Sequence, residues 1–219
     1  MRERLRIPLL LSLTFVTGVV DVVSYVRLDH VFVANMTGNV VLLGAALTAE
    51  AAVPITLIAA SFAAFVLGAA VAGRVCTASE GSALPPAVLL GISTVLLGGS
   101  GALLTLAPLS PLVPALPLGA LALAMGLQGG WARAYAAADL PTVVVTSTLV
   151  GLAFQSSVGS GEHVRWRRRA AAVTLLVLGG VTGGVLLRVG PGVALGVCAG
   201  VTAAVAIASW RVERAERPD

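Results

Sequence analysis

Lysine is missing from this chain of 219 residues, and charge of either sign is scarce. Only 11% of the residues are charged and 58% are hydrophobic, against roughly 25% and 45 to 50% in soluble domains. With mean hydropathy at +0.98, a water-soluble enzyme is excluded. Cysteine is reduced to Cys76 and Cys198, which have neither CxxC spacing nor helping histidines, and the only histidines are His30 and His163. That excludes a secreted disulfide scaffold, and neither metal nor cofactor is expected. HExxH, GxSxG and a Walker loop are also absent, so no catalytic constellation can be assembled and an enzyme is not expected. The apolar runs carry neither the sustained heptads of a coiled coil nor the strict alternation of a transmembrane barrel strand.

What the chain does have is long uncharged stretches between clusters of Arg. Helices need about 20 mostly apolar residues to cross roughly 30 Å of hydrocarbon. Eight apolar segments can be drawn, at 7–26, 31–47, 53–73, 86–107, 112–132, 141–155, 170–187 and 192–210. This is the pattern of an all-α polytopic membrane protein, a single membrane domain whose first partner is the lipid bilayer. The basic start followed by an apolar run resembles a signal peptide. The run from Ile7 to Val26 is long, contains Asp21 and lacks a clear small-residue cleavage site, so it is expected to stay as the first span. The net charge of +4 would suggest nucleic acid in a soluble chain. Beside membrane spans, Arg marks the cytoplasmic side instead, and no nucleic acid is expected.

The second and sixth segments are the shortest, and both are interrupted by polar residues. Asn35, Thr37, Gly38 and Asn39 break the second; Thr142, Thr146, Ser147 and Thr148 break the sixth. They occupy corresponding places in two halves, residues 7–107 and 112–210. Setting Gly18 on Gly126 aligns the first and fifth segments, and one residue of slippage later Thr37 falls on Thr146. If both short segments dip in and return, six spans remain, the halves are inverted, and only Arg27 and Arg188 lie outside. If all eight cross, the halves are parallel and Arg74 and Arg133 join them outside. Positive-inside counting favours six spans. Either way the N-terminus, the 156–169 loop and the C-terminus face the cytoplasm of a bacterial inner membrane.

Paired interrupted segments in inverted halves point to the binding site of a secondary transporter. An Asp inside a span is by default a functional-site hypothesis. Asp21 shares a helical face with Thr14, Gly18, Ser24 and Tyr25. It either belongs to a site, as the group for proton coupling, or lies near the headgroups and pairs with Arg27 or Arg133. Arg133, after Gln128 and Trp131, either balances a buried carboxylate, binds an anionic substrate or snorkels to the interface. A helix starting near Thr37 would turn free N–H groups into the membrane, while unwound carbonyls beside Asn35 could hold a cation; the alternative is a capped, kinked helix with no ligand. A tight turn at 27–30 would fold that segment back along the first helix, so that Asp21, Asn35, Thr37 and Asn39 converge with Gln128. His30 and His163 are expected at the interface, with Trp166 and Trp210 as anchors. Gly179 with Gly183, and Gly196 with Gly200, are spaced for close helix packing, and 53–73 and 86–107 read as scaffold.

Gly18-Val-Val-Asp21 with Ser24-Tyr25, then Phe32-Val-Ala-Asn-Met-Thr-Gly-Asn39, and later Met125-Gly-Leu-Gln128 with Arg133 and Thr146, resemble the YoaK-like family of bacterial inner-membrane proteins. The resemblance covers nearly the whole chain and implies six spans and a membrane protein of unassigned activity. The family pattern has Asn after the Gln and Gly after the later Thr, where this chain has Gly129 and Ser147. The resemblance supplies no substrate. Two functions are carried forward: a secondary transporter or channel for a small solute or ion, and a non-transporting scaffold or partner-binding protein. A homo-oligomer is compatible with both.

Overall fold

A computed structural model of the chain describes residues 3–48, 53–78, 85–107, 115–135, 145–154 and 166–215. Among them are eight α-helices and no strand: α1 (Glu3–Arg27), α2 (Met36–Leu47), α3 (Ile55–Ala78), α4 (Val88–Leu106), α5 (Ala115–Tyr135), α6 (Val145–Phe154), α7 (Trp166–Leu186) and α8 (Pro191–Ala215). Six of these, all but α2 and α6, are long and apolar enough to cross a membrane. The long helices overrun the apolar segments. α1 takes in Arg4 and Arg6, α3 continues past Arg74, α5 past Arg133, α7 begins before Arg167, and α8 runs beyond Arg214. The hydrocarbon limits only the uncharged run, whereas the helix continues through the headgroup layer, where Arg can snorkel. The second segment is shorter than expected, because residues 28–35 form a turn and an irregular approach to α2.

α1 and α5 lie at the centre. α1 packs on α7 and α8, α5 packs on α3 and α4, α4 packs on α8, and α1 touches α5. The short helices sit outside, α2 on α3 and α6 on α7. One core cluster joins Val16, Val19 and Val20 of α1 to Leu121 and Met125 of α5 and Leu195 of α8, all essentially inaccessible.

Direct backbone approach at glycines sets the closest crossings. A Cβ on Gly18 would strike the Leu176 carbonyl, one on Gly179 would strike Phe15, and Gly183 lies against Val19. Across the bundle, a Cβ on Gly126 would strike the Phe65 carbonyl and one on Gly68 that of Leu123. Small residues matter here because lipid provides no hydrophobic drive between helices, leaving contact and hydrogen bonding to hold them. On α8 the expected pair is displaced. Gly196 and Gly200 face open space, and Gly192 is instead the glycine pressed against Gly101 and Thr105 of α4. Spacing alone showed a stripe of small residues, but the crossing with α4 falls one turn earlier.

The same contacts determine how many segments cross. Along α1 and α7 the pairs advance together, Phe15 with Gly179 and Val19 with Gly183, so these helices are parallel. Along α4 and α8 they advance oppositely, Gly98 with Ala199 and Gly101 with Leu195, so these are antiparallel. If α6 crossed the membrane, α4 and α8 would be parallel. If α2 alone crossed, α1 and α7 would be antiparallel. Six spans satisfy both directions, and the eight-span arrangement does not. Length agrees, since the 12 residues of α2 extend only about 18 Å.

Candidate functional site

α1 ends on a polar face whose hydroxyls are satisfied within the helix. Thr14 Oγ1 donates to the Leu10 carbonyl at 3.0 Å, Thr17 Oγ1 to Leu13 at 2.9 Å, and buried Ser24 Oγ to Asp21 at 3.1 Å. After Arg27 the chain reverses through Asp29 and His30, both in the left-handed region at φ 51° and 59°. Asp tolerates that region better than most residues, which makes the turn affordable. Leu28 N–H donates back to Ser24 at 2.8 Å and Val31 N–H to Leu28 at 3.2 Å. The Arg27 guanidinium donates to the Leu187 carbonyl at the end of α7 (3.4 Å).

The returning strand of chain, residues 31–35, meets Asp21. Its Oδ1 accepts three consecutive backbone N–H groups, from Val33 at 3.2 Å, Ala34 at 2.9 Å and Asn35 at 3.4 Å. Consecutive amides ahead of a helix N-terminus make an anion-binding concavity, and here the chain fills it with its own carboxylate.

The FVANMTGN stretch accounts for its polar residues in the same way. The Asn35 side chain caps α2, accepting the Gly38 N–H at 3.2 Å. Asn39, fully buried, clasps the Phe32 peptide from both sides: its Oδ1 accepts the Phe32 N–H at 3.0 Å and its Nδ2 donates to the Phe32 carbonyl at 2.7 Å. Ser61 of α3 donates to the same carbonyl at 2.8 Å. Gly38 is a glycine because a Cβ there would come within 3.0 Å of Phe32 and the Asn35 amide. Tyr25 stacks on Phe32 at 4.9 Å and meets His30 edge-on at 5.0 Å. Asp21 precedes the end of α1 by six residues and Ser61 follows the start of α3 by six, so this lock lies about 9 Å inside the helix ends.

Asp21, Asn35 and Asn39 therefore meet around one short piece of backbone, with Ser24, Tyr25 and Gly38 beside them. Thr37 is exposed in the first turn of α2. Gln128 lies one α1 turn deeper, buried, with its Nε2 donating to the Leu13 carbonyl and to Thr17 Oγ1, both at 3.3 Å. Among the described residues its Oε1 has no partner, and neither has the indole N–H of Trp131 one turn along α5, also fully buried. Arg133 is exposed near the end of α5, away from Asp21 and on the face where α1 begins. Thr146 stands in the first turn of α6, with its side chain outside the described residues, as is His163. Among the described residues no three metal-binding side chains converge.

Two participants were not anticipated. Ser61 is a lone hydroxyl in a span read as scaffold, and nothing in its neighbours marks it. Glu213 sits past the eighth segment, among the Arg residues that close the chain. It accepts the Tyr135 hydroxyl at 2.9 Å and the Ala87 N–H at 3.3 Å, tying α8 to α5 and α4 at the end opposite the Asp21 lock.

The family model described as "Protein of unknown function (DUF1275)" matches residues 9–208. The UPF0700 transmembrane protein YoaK of Bacillus subtilis (strain 168) is 33% identical over 146 residues, which is 65% of this chain. The match spans 64% of that relative's length. No solved structure matches the chain.

Proposed function

The chain belongs to the DUF1275 family and is a multi-pass membrane protein, and within that frame we propose that it is a secondary transporter or channel for a small solute, built from two inverted halves, α1–α4 and α5–α8. The observation that carries this reading is the re-entrant hairpin. Irregular backbone at membrane depth persists only where protein buries it or a cavity wets it, and such breaks mark transporter sites. The contact pattern supports the inverted halves. Exchanging α1–α4 for α5–α8 turns the α1–α7 crossing into α5–α3, α1–α8 into α5–α4, and α2–α3 into α6–α7. The Gly18–Gly179 approach likewise becomes Gly126–Gly68.

In this reading the hairpin is the gate, because the halves interlock through the α3–α5, α1–α7 and α4–α8 packings. Opening the face of Arg27 requires the 31–35 segment to leave Asp21. Protonation removes the negative charge that three N–H donors oppose and weakens those bonds, which gives Asp21 its role in proton coupling. Both termini lie in the cytoplasm and the membrane is the bacterial inner one. Gln128 Oε1 and the Trp131 indole N–H, buried and without a partner among the described residues, are polar atoms a solute would meet on its way through.

Uptake by proteoliposomes against a metabolite panel, with and without a pH gradient, tests the proposal. Asp21→Asn is expected to reconstitute as a folded protein and to lose pH-driven uptake. If no solute moves, or if Asp21→Asn behaves as the unaltered protein at every pH, the proposal fails. The second reading, a non-transporting scaffold, is favoured by one specific observation: Asp21, Asn35 and Asn39 are all engaged by the chain's own backbone.

A further inference from the structure

An apolar groove of about 370 Å³ lies between the start of α4 and the last turns of α8, lined by Pro85, Ala87, Val88, Ala206, Ile207 and Trp210. It is remote from the Asp21 lock, at the opposite ends of the helices. Ile207 and Trp210 are half-exposed, so the groove opens outward, toward lipid rather than into the bundle. Along α8, Ile207, Trp210, Arg211 and Arg214 follow one another at the spacing of a single helical face. The groove therefore continues directly into two exposed cations. The Arg214 guanidinium lies 4.6 Å from the centroid of the Trp210 ring, which holds its charge at the mouth.

Among the described residues the one acid nearby is Glu213, and its carboxylate is not aimed at the mouth. Glu213 turns inward, its two carboxylate oxygens taken by Tyr135 and the Ala87 N–H. The result is a slot with apolar walls at the end of two spans, rimmed by an indole and two guanidinium groups. Basic pockets between spans at headgroup level bind anionic lipid heads, and Arg matches phosphate by bidentate hydrogen bonding. A neutral lipid would fill the walls equally well and leave the rim without a partner.

We propose that the α4–α8 groove is a binding site for an anionic phospholipid, one acyl chain lying against Val88, Ala206 and Ile207 and the phosphate held by Arg211 and Arg214. Trp210 reports on the chain's arrival. The test uses the full chain carrying Trp166→Phe, which leaves Trp210 and the buried Trp131 as the only indoles. It is placed in micelles with phosphatidylglycerol or phosphatidylcholine brominated on the acyl chain. Phosphatidylglycerol is expected to quench Trp210 at a roughly tenfold lower mole fraction than phosphatidylcholine. Raising the salt should shrink that preference, since exposed charges are screened. The double variant Arg211→Gln/Arg214→Gln should abolish it while leaving quenching at high mole fraction. Equal quenching by the two lipids would overturn the proposal, as would a preference that survives both substitutions. Quenching by neither lipid, in a protein that migrates as a dimer, would overturn it by placing a second copy on the groove.

Discussion

Asp21 illustrates why an intramembrane carboxylate can be conspicuous in a sequence while its role stays hidden. Its cost in hydrocarbon marks it as special from the sequence alone. Its partners are backbone amides of residues 33–35, and every residue but Pro supplies such an amide, so no side-chain pattern could have identified them. The lock also separates two substitutions. Asp21→Ala leaves three N–H groups without an acceptor in a medium that offers little water. At about 1 kcal/mol or more for each donor, it is expected to destabilise by roughly 3 kcal/mol. Asp21→Asn keeps a carbonyl oxygen and loses only the charge, so it should cost less. Thermal unfolding in detergent ranks the two, and equal losses would mean that the carboxylate does not hold the hairpin. Asn39→Asp is a companion test. It keeps the acceptor for the Phe32 N–H but loses the donor to the Phe32 carbonyl. It also sets a charge in a fully buried position, and should destabilise at least as much as Asn39→Ala.

Elements were the most legible level. Hydrocarbon thickness imposes one length on every span, and six runs of that length, with two shorter ones, could be counted without structure. The turn after Arg27 and the start of α2 near Thr37 were also foreseeable, because Asn-x-x-Gly-Asn after an apolar run is capping chemistry. Crossings were less legible. The small residues of α8 repeat at 192, 196 and 200, and only Gly192 meets another backbone, because which turn of a stripe is used depends on where the partner helix passes. Substitution separates glycines that are needed from glycines that are merely present. Gly18→Leu and Gly126→Leu each force a side chain into a facing carbonyl, and each is expected to cost about 2 kcal/mol or more through separation of the helices. Gly99→Ala meets nothing within 4 Å and should be neutral or slightly stabilising, since Ala is the better helix former. Apparent melting temperatures in one detergent compare the three. A neutral Gly126→Leu would contradict the α3–α5 crossing.

The whole molecule has a direction that neither composition nor any single helix reveals. Arg counting favoured six spans by a margin of two residues, Arg74 and Arg133, whereas helix directions decide the matter through independent contacts. α1 runs parallel to α7 and α4 antiparallel to α8, and only a chain in which α2 and α6 both return to the face they left can satisfy the two together. The proposed sidedness rests on the Arg residues: among the described ones Arg27 and Arg188 lie toward one face and Arg6, Arg74, Arg133, Arg167, Arg168, Arg169, Arg211 and Arg214 toward the other, which the positive-inside rule assigns to the cytoplasm. Single cysteines in a background with Cys76 and Cys198 replaced should expose this arrangement in intact cells. Thr48, at the end of α2, and Val189, in the α7–α8 turn, are both exposed and are expected to react with an impermeant maleimide added outside. Thr77, in the last turn of α3, is exposed at the opposite end of its helix and should react only after the membrane is opened. The Thr48 and Thr77 pair carries the decision. If α2 crossed, their sidedness would be exchanged while the N-terminus stayed inside, so labelling of Thr77 from outside together with protection of Thr48 would refute the re-entrant hairpin and the inverted halves with it.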